Sequence, residues 1–171
     1  MDYVTYFFAW TNHPIGQVHL ICAFAALITG PTIFFRRKGT RSHRWIGYVY
    51  IVSMVVLNIA ALFSYRLTGG ANLFHGAAVA SMATIVPAIY YIWRFKRTRK
   101  RGHMIAHGIF MSWSYFGLVM AFISEIVTRQ FPALLHGSGG WASFILFVGT
   151  LMAMTGWWTN RQIRIHVVRR T

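Results

Sequence analysis

Acidic residues are almost missing from this sequence. Its 171 residues contain 17 lysines and arginines but only two acids, Asp2 and Glu125, which gives a formal net charge of +15. In a soluble chain this balance would favour a nucleic-acid partner. Fifteen of the 17 basic residues, however, lie in three short segments, 36–44, 94–101 and 161–170. Segments of this kind are typical of loops that orient a protein in a membrane, so we expect no nucleic-acid partner.

Cysteine is nearly missing as well. The single Cys22 excludes a disulfide within the chain and a thiolate metal cluster. The sequence has no Cys-x-x-Cys-His motif, which excludes covalently attached c-type heme. No basic segment precedes the first apolar run, so we expect that run to be retained rather than cleaved as a signal peptide.

Charged side chains are also missing from five long apolar runs, apart from one glutamate. The runs are 17–35, 45–65, 73–93, 104–127 and 141–158. Each is close to the ~20 residues that span a bilayer. Because the backbone in lipid must satisfy its own hydrogen bonds, the runs should be helices. We predict an all-α integral membrane protein: a bundle of five transmembrane helices that forms a single domain over residues 1–171.

The basic segments predict the orientation of this bundle. With five spans all three segments fall on one side, which places the N-terminus outside and the C-terminus in the cytoplasm. Residues 1–16 are rich in aromatics and predict a short interfacial helix on the outer surface, ending in a turn at 13–16. We expect the basic segments to touch anionic lipid headgroups. Asn58, near the middle of the second span, should hydrogen-bond to a neighbouring helix.

Three ionisable residues fall at nearly the same depth below the outer surface. His19 and His75 are each the third residue of their spans, and Glu125 is the third from the outer end of the fourth. His136 lies in the loop that follows. Imidazole nitrogens with a carboxylate form an ordinary ligand set for copper, zinc or iron. Glu125 could instead serve as a proton carrier with a catalytic role, or form a structural pair with a histidine or with Arg66.

A second group of histidines lies at the cytoplasmic side. His103 and His107 are four residues apart and therefore share one helix face. This spacing suits one small ion better than the two sides of a heme plane, and His43 could be a third ligand. Histidines at a membrane boundary also anchor to headgroups or cap helices, and that alternative stays open.

Aromatic residues accompany this inner group. Tyr48 and Tyr50, beside Arg44, could line a pocket for a quinone headgroup. An ordinary aromatic belt at the membrane boundary is the alternative reading.

The chain resembles a family of small bacterial predicted membrane proteins, domain of unknown function 2306. The resemblance covers residues 17–127 and rests on a set of separate positions: His19, Gly30, Pro31, Phe34, Arg36, His43, Arg44, Trp45, Gly47, Tyr50, Gly69, Gly70 and His103. Residues 104–107 read Met-Ile-Ala-His where the family leads us to expect an arginine and a tryptophan. The resemblance implies the membrane fold, a multi-pass location in the bacterial inner membrane, and the importance of His19, His43 and His103.

These observations favour a membrane metalloprotein with redox activity. If it catalyses a reaction, it would be an oxidoreductase. Electrons would pass between a quinone or quinol and a small oxidant such as oxygen or superoxide. The histidine pair and the carboxylate favour a copper, zinc or iron ion over heme b, for which His19 and His75 could be the axial ligands. Small bundles with paired histidines resemble diheme cytochromes in architecture only. A proton-linked transporter or sensor, or an assembly subunit of a membrane complex, remains open, as does a homo-oligomer.

Overall fold

The computed structural model describes residues 13–63, 73–130 and 139–168, and these residues form five α-helices and no strand. The helices are α1 (Pro14–Phe35), α2 (Arg41–Leu62), α3 (Leu73–Thr98), α4 (Arg101–Gln130) and α5 (Gly140–Val168). This confirms the predicted all-α fold.

Four of the helices have segments long and apolar enough to cross a membrane. These segments are Pro14–Phe35, Arg41–Leu62, His75–Thr98 and Arg101–Thr128. The apolar part of α5, Ala142–Trp158, is shorter. The length and hydropathy of the first four helices therefore indicate a multi-pass membrane protein. That α5 also crosses the membrane stays a prediction.

Two helix ends differ from the sequence-based expectation. The turn predicted at 13–16 is instead the start of α1, because His13 caps the helix and Pro14 occupies its first position. The Nδ1 atom of His13 accepts a hydrogen bond from the backbone N–H of Ile15 at 3.3 Å. At the other end of the chain α5 continues to Val168 rather than ending at 158. Residues 1–12 of the predicted interfacial helix lie outside the described residues.

A short turn joins α1 to α2. The ammonium of Lys38 donates to the backbone carbonyls of Ile33 at 2.7 Å and Phe34 at 3.1 Å, which closes the end of α1. Partial burial lowers the pKa of Lys38 below its usual range. Gly39 follows with φ +81°, a conformation that glycine adopts without strain. Thr40 then caps α2 by accepting from the backbone N–H of His43 at 3.2 Å.

Two compact units make up the chain, Met1–Met82 and Ala83–Thr171. In the first unit α1 packs against α2. Buried residues on each helix follow the spacing of a single helical face: Ala26, Gly30 and Ile33 on α1, and Tyr50, Met54 and Leu57 on α2. The small residues of α1 allow the larger side chains of α2 to approach closely.

The first unit also contains the polar contact that the sequence predicted for Asn58. Its amide Nδ2 donates to the hydroxyl of Ser81 on α3 at 2.9 Å. Asn58 is 4% exposed. A buried amide in lipid is costly without such a bond, so the contact explains how the second span tolerates asparagine.

In the second unit α4 packs against α5 with an antiparallel match of large and small residues. The indole of Trp113 on α4 lies against Gly156 of α5, and one helical turn further on Met152 of α5 lies near Gly117 of α4. Each glycine therefore receives a large side chain from the opposite helix, as in close helix packing within membranes.

Large apolar side chains cover much of the outer surface. Ile21 and Ile28 are each 68% exposed, and Leu146 is 72% exposed. Patches of this kind are unusual on soluble monomers and are expected where a bilayer surrounds the helices. The exposed surface therefore agrees with the hydropathy of the sequence.

Candidate functional site

The two histidines predicted near the outer surface lie in the first unit. His19 is the sixth residue of α1 and His75 is the third of α3. Because α1, α2 and the start of α3 alternate in direction, both histidines stand near the same end of that unit. They differ in position along their helices by three residues, or about 4.5 Å of helical rise. A common depth of the two histidines in the membrane stays a prediction.

Both rings are half-buried, and each has one nitrogen shielded from solvent. The buried atoms are Nδ1 of His19 and Nε2 of His75. Next to His75, a side-chain carbon added to Gly76 would meet nothing within 4 Å, and Ala78 is buried. The start of α3 thus combines an imidazole with residues that occupy little space.

Glu125, the acid predicted beside these histidines, belongs to the second unit. It lies in the last third of α4 and is half-buried, and its backbone carbonyl accepts from the hydroxyl of Thr128 at 3.1 Å. His136 and Arg66 lie outside the described residues. Within the described part of the chain no three His, Cys, Asp or Glu side chains form a group that could hold a metal ion. Because His19 and His75 belong to one unit and Glu125 to the other, the ion site that the sequence suggested stays a prediction.

His107 of the inner group makes a hydrogen bond that fixes its tautomer. Its Nδ1 lies 2.9 Å from the backbone carbonyl oxygen of Ala88 on α3. A carbonyl oxygen can only accept, so Nδ1 carries the proton and the neutral ring has its lone pair on Nε2. Histidines that bind metals commonly donate their other ring N–H to a carbonyl in this way.

His103 lies in an aromatic stack. Its ring is stacked on Tyr91 of α3, with centroids 5.9 Å apart and planes inclined by 28°. On α4 itself Phe110 also stacks on Tyr91, at 5.7 Å and 13°. His103 and His107 therefore both lie on the side of α4 that faces α3, as their spacing predicted. The same contacts give each ring a structural role in joining the two helices.

The third member of the predicted inner group, His43, belongs to the first unit. It lies in the first turn of α2 and its Nδ1 is buried. It is half-buried as a residue. Its backbone N–H takes part in the helix cap formed by Thr40.

The residues predicted to contact a quinone have different environments. Tyr48 is 52% exposed and meets Trp45 edge to face, with centroids 6.4 Å apart. Tyr50 is 1% exposed, in the packing face of α2. Arg44 is exposed at the start of the helix. Because residues two apart on a helix point in opposite directions, the two tyrosines do not form one surface.

Sequence reasoning missed the partners of the inner histidines. Neither Tyr91 nor Ala88 is among the site residues that the sequence predicts. The signal available in the sequence was the short connection at residues 99–100 between α3 and α4. So short a connection places the end of α3 next to the start of α4. Which residues then face each other depends on the rotation of both helices, and the sequence does not contain that information directly.

Comparison with known protein families identifies a match. The family model for a predicted membrane protein, DUF2306, matches residues 16–164. No curated protein and no solved structure matches the chain. The match covers most of the sequence and includes all of the histidines discussed here except His13 and His166. The chain therefore belongs to the DUF2306 family of predicted membrane proteins.

Proposed function

We propose that this protein is a membrane redox protein in which His19 and His75 hold heme b. Electrons would enter from a quinol at the cytoplasmic side of the membrane and leave to a small oxidant such as oxygen or superoxide. Heme supplies one-electron chemistry, and the chain supplies axial ligands, orientation and a low-dielectric surrounding.

The observation that carries this proposal is the placement of the two imidazoles. They come from different helices of one unit, near the same end, and each has a buried ring nitrogen. The small residues that follow His75 would let a planar macrocycle approach the helix.

Two histidines are a sufficient set of protein ligands for heme. A heme needs only two axial ligands from the protein, since the macrocycle supplies the other four. Copper, zinc or iron bound without heme is the alternative within the same proposal.

Quinol would reach the protein near the start of α2. Tyr48 and Trp45 are exposed there, at 52% and 63%, next to the exposed Arg44. A lipid-soluble quinol can approach exposed aromatics from the bilayer, and an arginine beside them can donate hydrogen bonds to its oxygens. Glu125, near the outer end of α4 in the second unit, would serve as a carrier for the protons taken up when superoxide is reduced at the outer side.

Quinol-dependent reduction tests this function. Purified protein reconstituted with hemin in detergent should show reduction of its heme absorption bands when a short-chain ubiquinol or menaquinol is added. Arg44→Gln should slow the reduction about tenfold, the loss expected for one hydrogen bond from a charged donor. The matched control Arg37→Gln removes an exposed charge from the same basic segment and should reduce at the wild-type rate. A loaded protein that quinol leaves oxidised would contradict the proposed electron donor.

The orientation belongs to the same proposal. We place the N-terminus outside and the C-terminus in the cytoplasm of a bacterial inner membrane, with α5 as the fifth span. The three basic segments support this arrangement, since all of them then face the cytoplasm. A reporter enzyme that works only in the cytoplasm should be active when fused after Thr171, and activity of a periplasmic reporter there would refute the orientation.

A further inference from the structure

The C-terminal end of α3 carries two arginines in unusual surroundings. The guanidinium of Arg97 lies over the ring of Trp93, with its central carbon 3.8 Å from the ring centroid. The Nε atom of Arg94 is buried, and it has no hydrogen-bond partner among the residues that the structure describes. A buried donor of a charged group is costly when it has no acceptor, so a change in the Arg94 side chain that brings its guanidinium to an acceptor at the membrane surface would be favourable.

These residues share one face of the helix with a second aromatic ring. Positions 90, 93, 94 and 97 follow the spacing of a single helical stripe. Tyr90 packs on Trp93 with ring centroids 6.3 Å apart, and the two rings are 51% and 44% exposed. The stripe therefore has an apolar aromatic part toward the middle of the helix and two guanidinium groups at its end.

Along α3 the aromatic rings come first and the guanidinium groups follow, as the acyl chains and the phosphate do in a phospholipid. We propose that Arg94 and Arg97 bind the phosphate of an anionic phospholipid whose acyl chain lies along Tyr90 and Trp93. Guanidinium groups suit phosphate because they offer several N–H donors in a fixed plane. Tryptophan and tyrosine are favoured at the depth where headgroup and acyl chain meet.

Electrostatics also favour an anion at this position. The end of a helix carries a partial negative charge, which by itself would repel phosphate. Six basic residues in 94–101 outweigh that charge, and the same stretch has no acid. Stacking on Trp93 holds the guanidinium of Arg97 in place, so less conformational entropy is lost when the phosphate binds.

Two aromatic–cation pairs elsewhere in the chain lack these features. Lys38 lies over Phe34 at 5.5 Å, but its ammonium already donates to two backbone carbonyls. Arg161 lies over Trp157 at 5.6 Å, a looser contact than that of Arg97. The end of α3 differs because a stacked guanidinium stands one turn from a buried Nε donor. The proposal is therefore specific to this helix end and does not extend to every basic segment.

Lipid binding to the purified full-length protein tests the proposal. Native mass spectrometry in detergent would compare dioleoyl phosphatidylglycerol with dioleoyl phosphatidylcholine, which share acyl chains and differ in net charge. The wild-type protein should retain phosphatidylglycerol in preference to phosphatidylcholine. Arg94→Gln and Arg97→Gln should each weaken phosphatidylglycerol binding about tenfold, as expected for loss of one charged hydrogen-bond donor. Arg37→Gln removes the same charge elsewhere and should bind like the wild type.

Two further arms keep the proposal open to refutation. If the wild-type protein retains both lipids equally, the proposed phosphate site is wrong. This result does not depend on whether any variant folds. Arg94 and Arg97 variants that bind like Arg37→Gln would overturn the assignment to α3. Inorganic phosphate at millimolar concentration should not displace the lipid, and displacement would show a site for free phosphate instead.

Discussion

Replacing His75 with alanine should abolish heme binding by the purified protein. His19 and His75 would be the only ligands that the chain supplies to the heme, so loss of one should weaken its attachment greatly. His19→Ala should have the same effect, because the two imidazoles act as a pair. We expect the Soret band of each variant, measured after reconstitution with hemin and gel filtration, to fall at least tenfold relative to protein concentration.

His166→Ala is the control for these two variants. It removes a histidine from the basic C-terminal segment, outside the region to which the proposal assigns ligands, and should keep the wild-type heme content. If the His75 variant retains full occupancy, the assignment of the axial pair is wrong. Loss of heme in all three variants would indicate a general defect in folding rather than loss of a ligand.

The largest expected effect on stability comes from Gly156. A side-chain carbon added to this residue would lie 2.7 Å from Cζ3 of Trp113 and closer still to the neighbouring ring atoms. An indole is rigid and cannot yield as a flexible side-chain end can. Gly156→Ala should therefore force α4 and α5 apart and lower the free energy of unfolding by about 1–3 kcal/mol. Unfolding of the detergent-solubilised protein in sodium dodecyl sulfate, followed by tryptophan fluorescence, measures this.

Gly149→Ala is the matched control on the same helix. Gly149 is exposed, and a side-chain carbon added there would meet nothing within 4 Å. Alanine favours the helical backbone over glycine, so this variant should be more stable than the wild type by about 0.5–1 kcal/mol. A lower free energy of unfolding for Gly156→Ala together with a higher one for Gly149→Ala would support the packing of Trp113 against Gly156. Equal effects at both positions would show that the two helices do not meet there.

Most of the fold was predictable because a bilayer leaves the backbone few choices. Apolar runs of about 20 residues without charge must be helical when they span lipid, and the structure has helices at all five predicted places. The depth of Asn58 predicted a partner on another helix, which proved to be Ser81. These predictions needed only hydropathy, length and the cost of an unpaired amide.

The helix ends were harder to predict. The Pro14–Gly16 segment reads as a turn because proline and glycine are common in turns, but proline at the first position of a helix is equally favourable. The apolar run ends at 158, but α5 continues to Val168, because arginine is a good helix former and is stabilised near a helix C-terminus. Local composition does not separate these alternatives.

The candidate site was predicted only as a set of residues. Depth along the chain gave His19 and His75 a common level, and the four-residue spacing put His103 and His107 on one helix face. The stack of His103 on Tyr91 and the bond from His107 to Ala88 depend on how α3 and α4 rotate about their axes. The buried Nε of Arg94 likewise depends on tertiary packing, which hydropathy and residue spacing do not predict.

The most direct test of the central claim is to purify the protein in detergent without added metal. An absorption spectrum and an elemental analysis would be taken on the same sample. Our account predicts a Soret band, sharp α and β bands on reduction with dithionite, and iron in proportion to heme. Copper, zinc or iron near one per chain without a Soret band would replace heme with an ion site. A colourless protein without bound metal, which also stays colourless after reconstitution with hemin, would contradict the redox proposal.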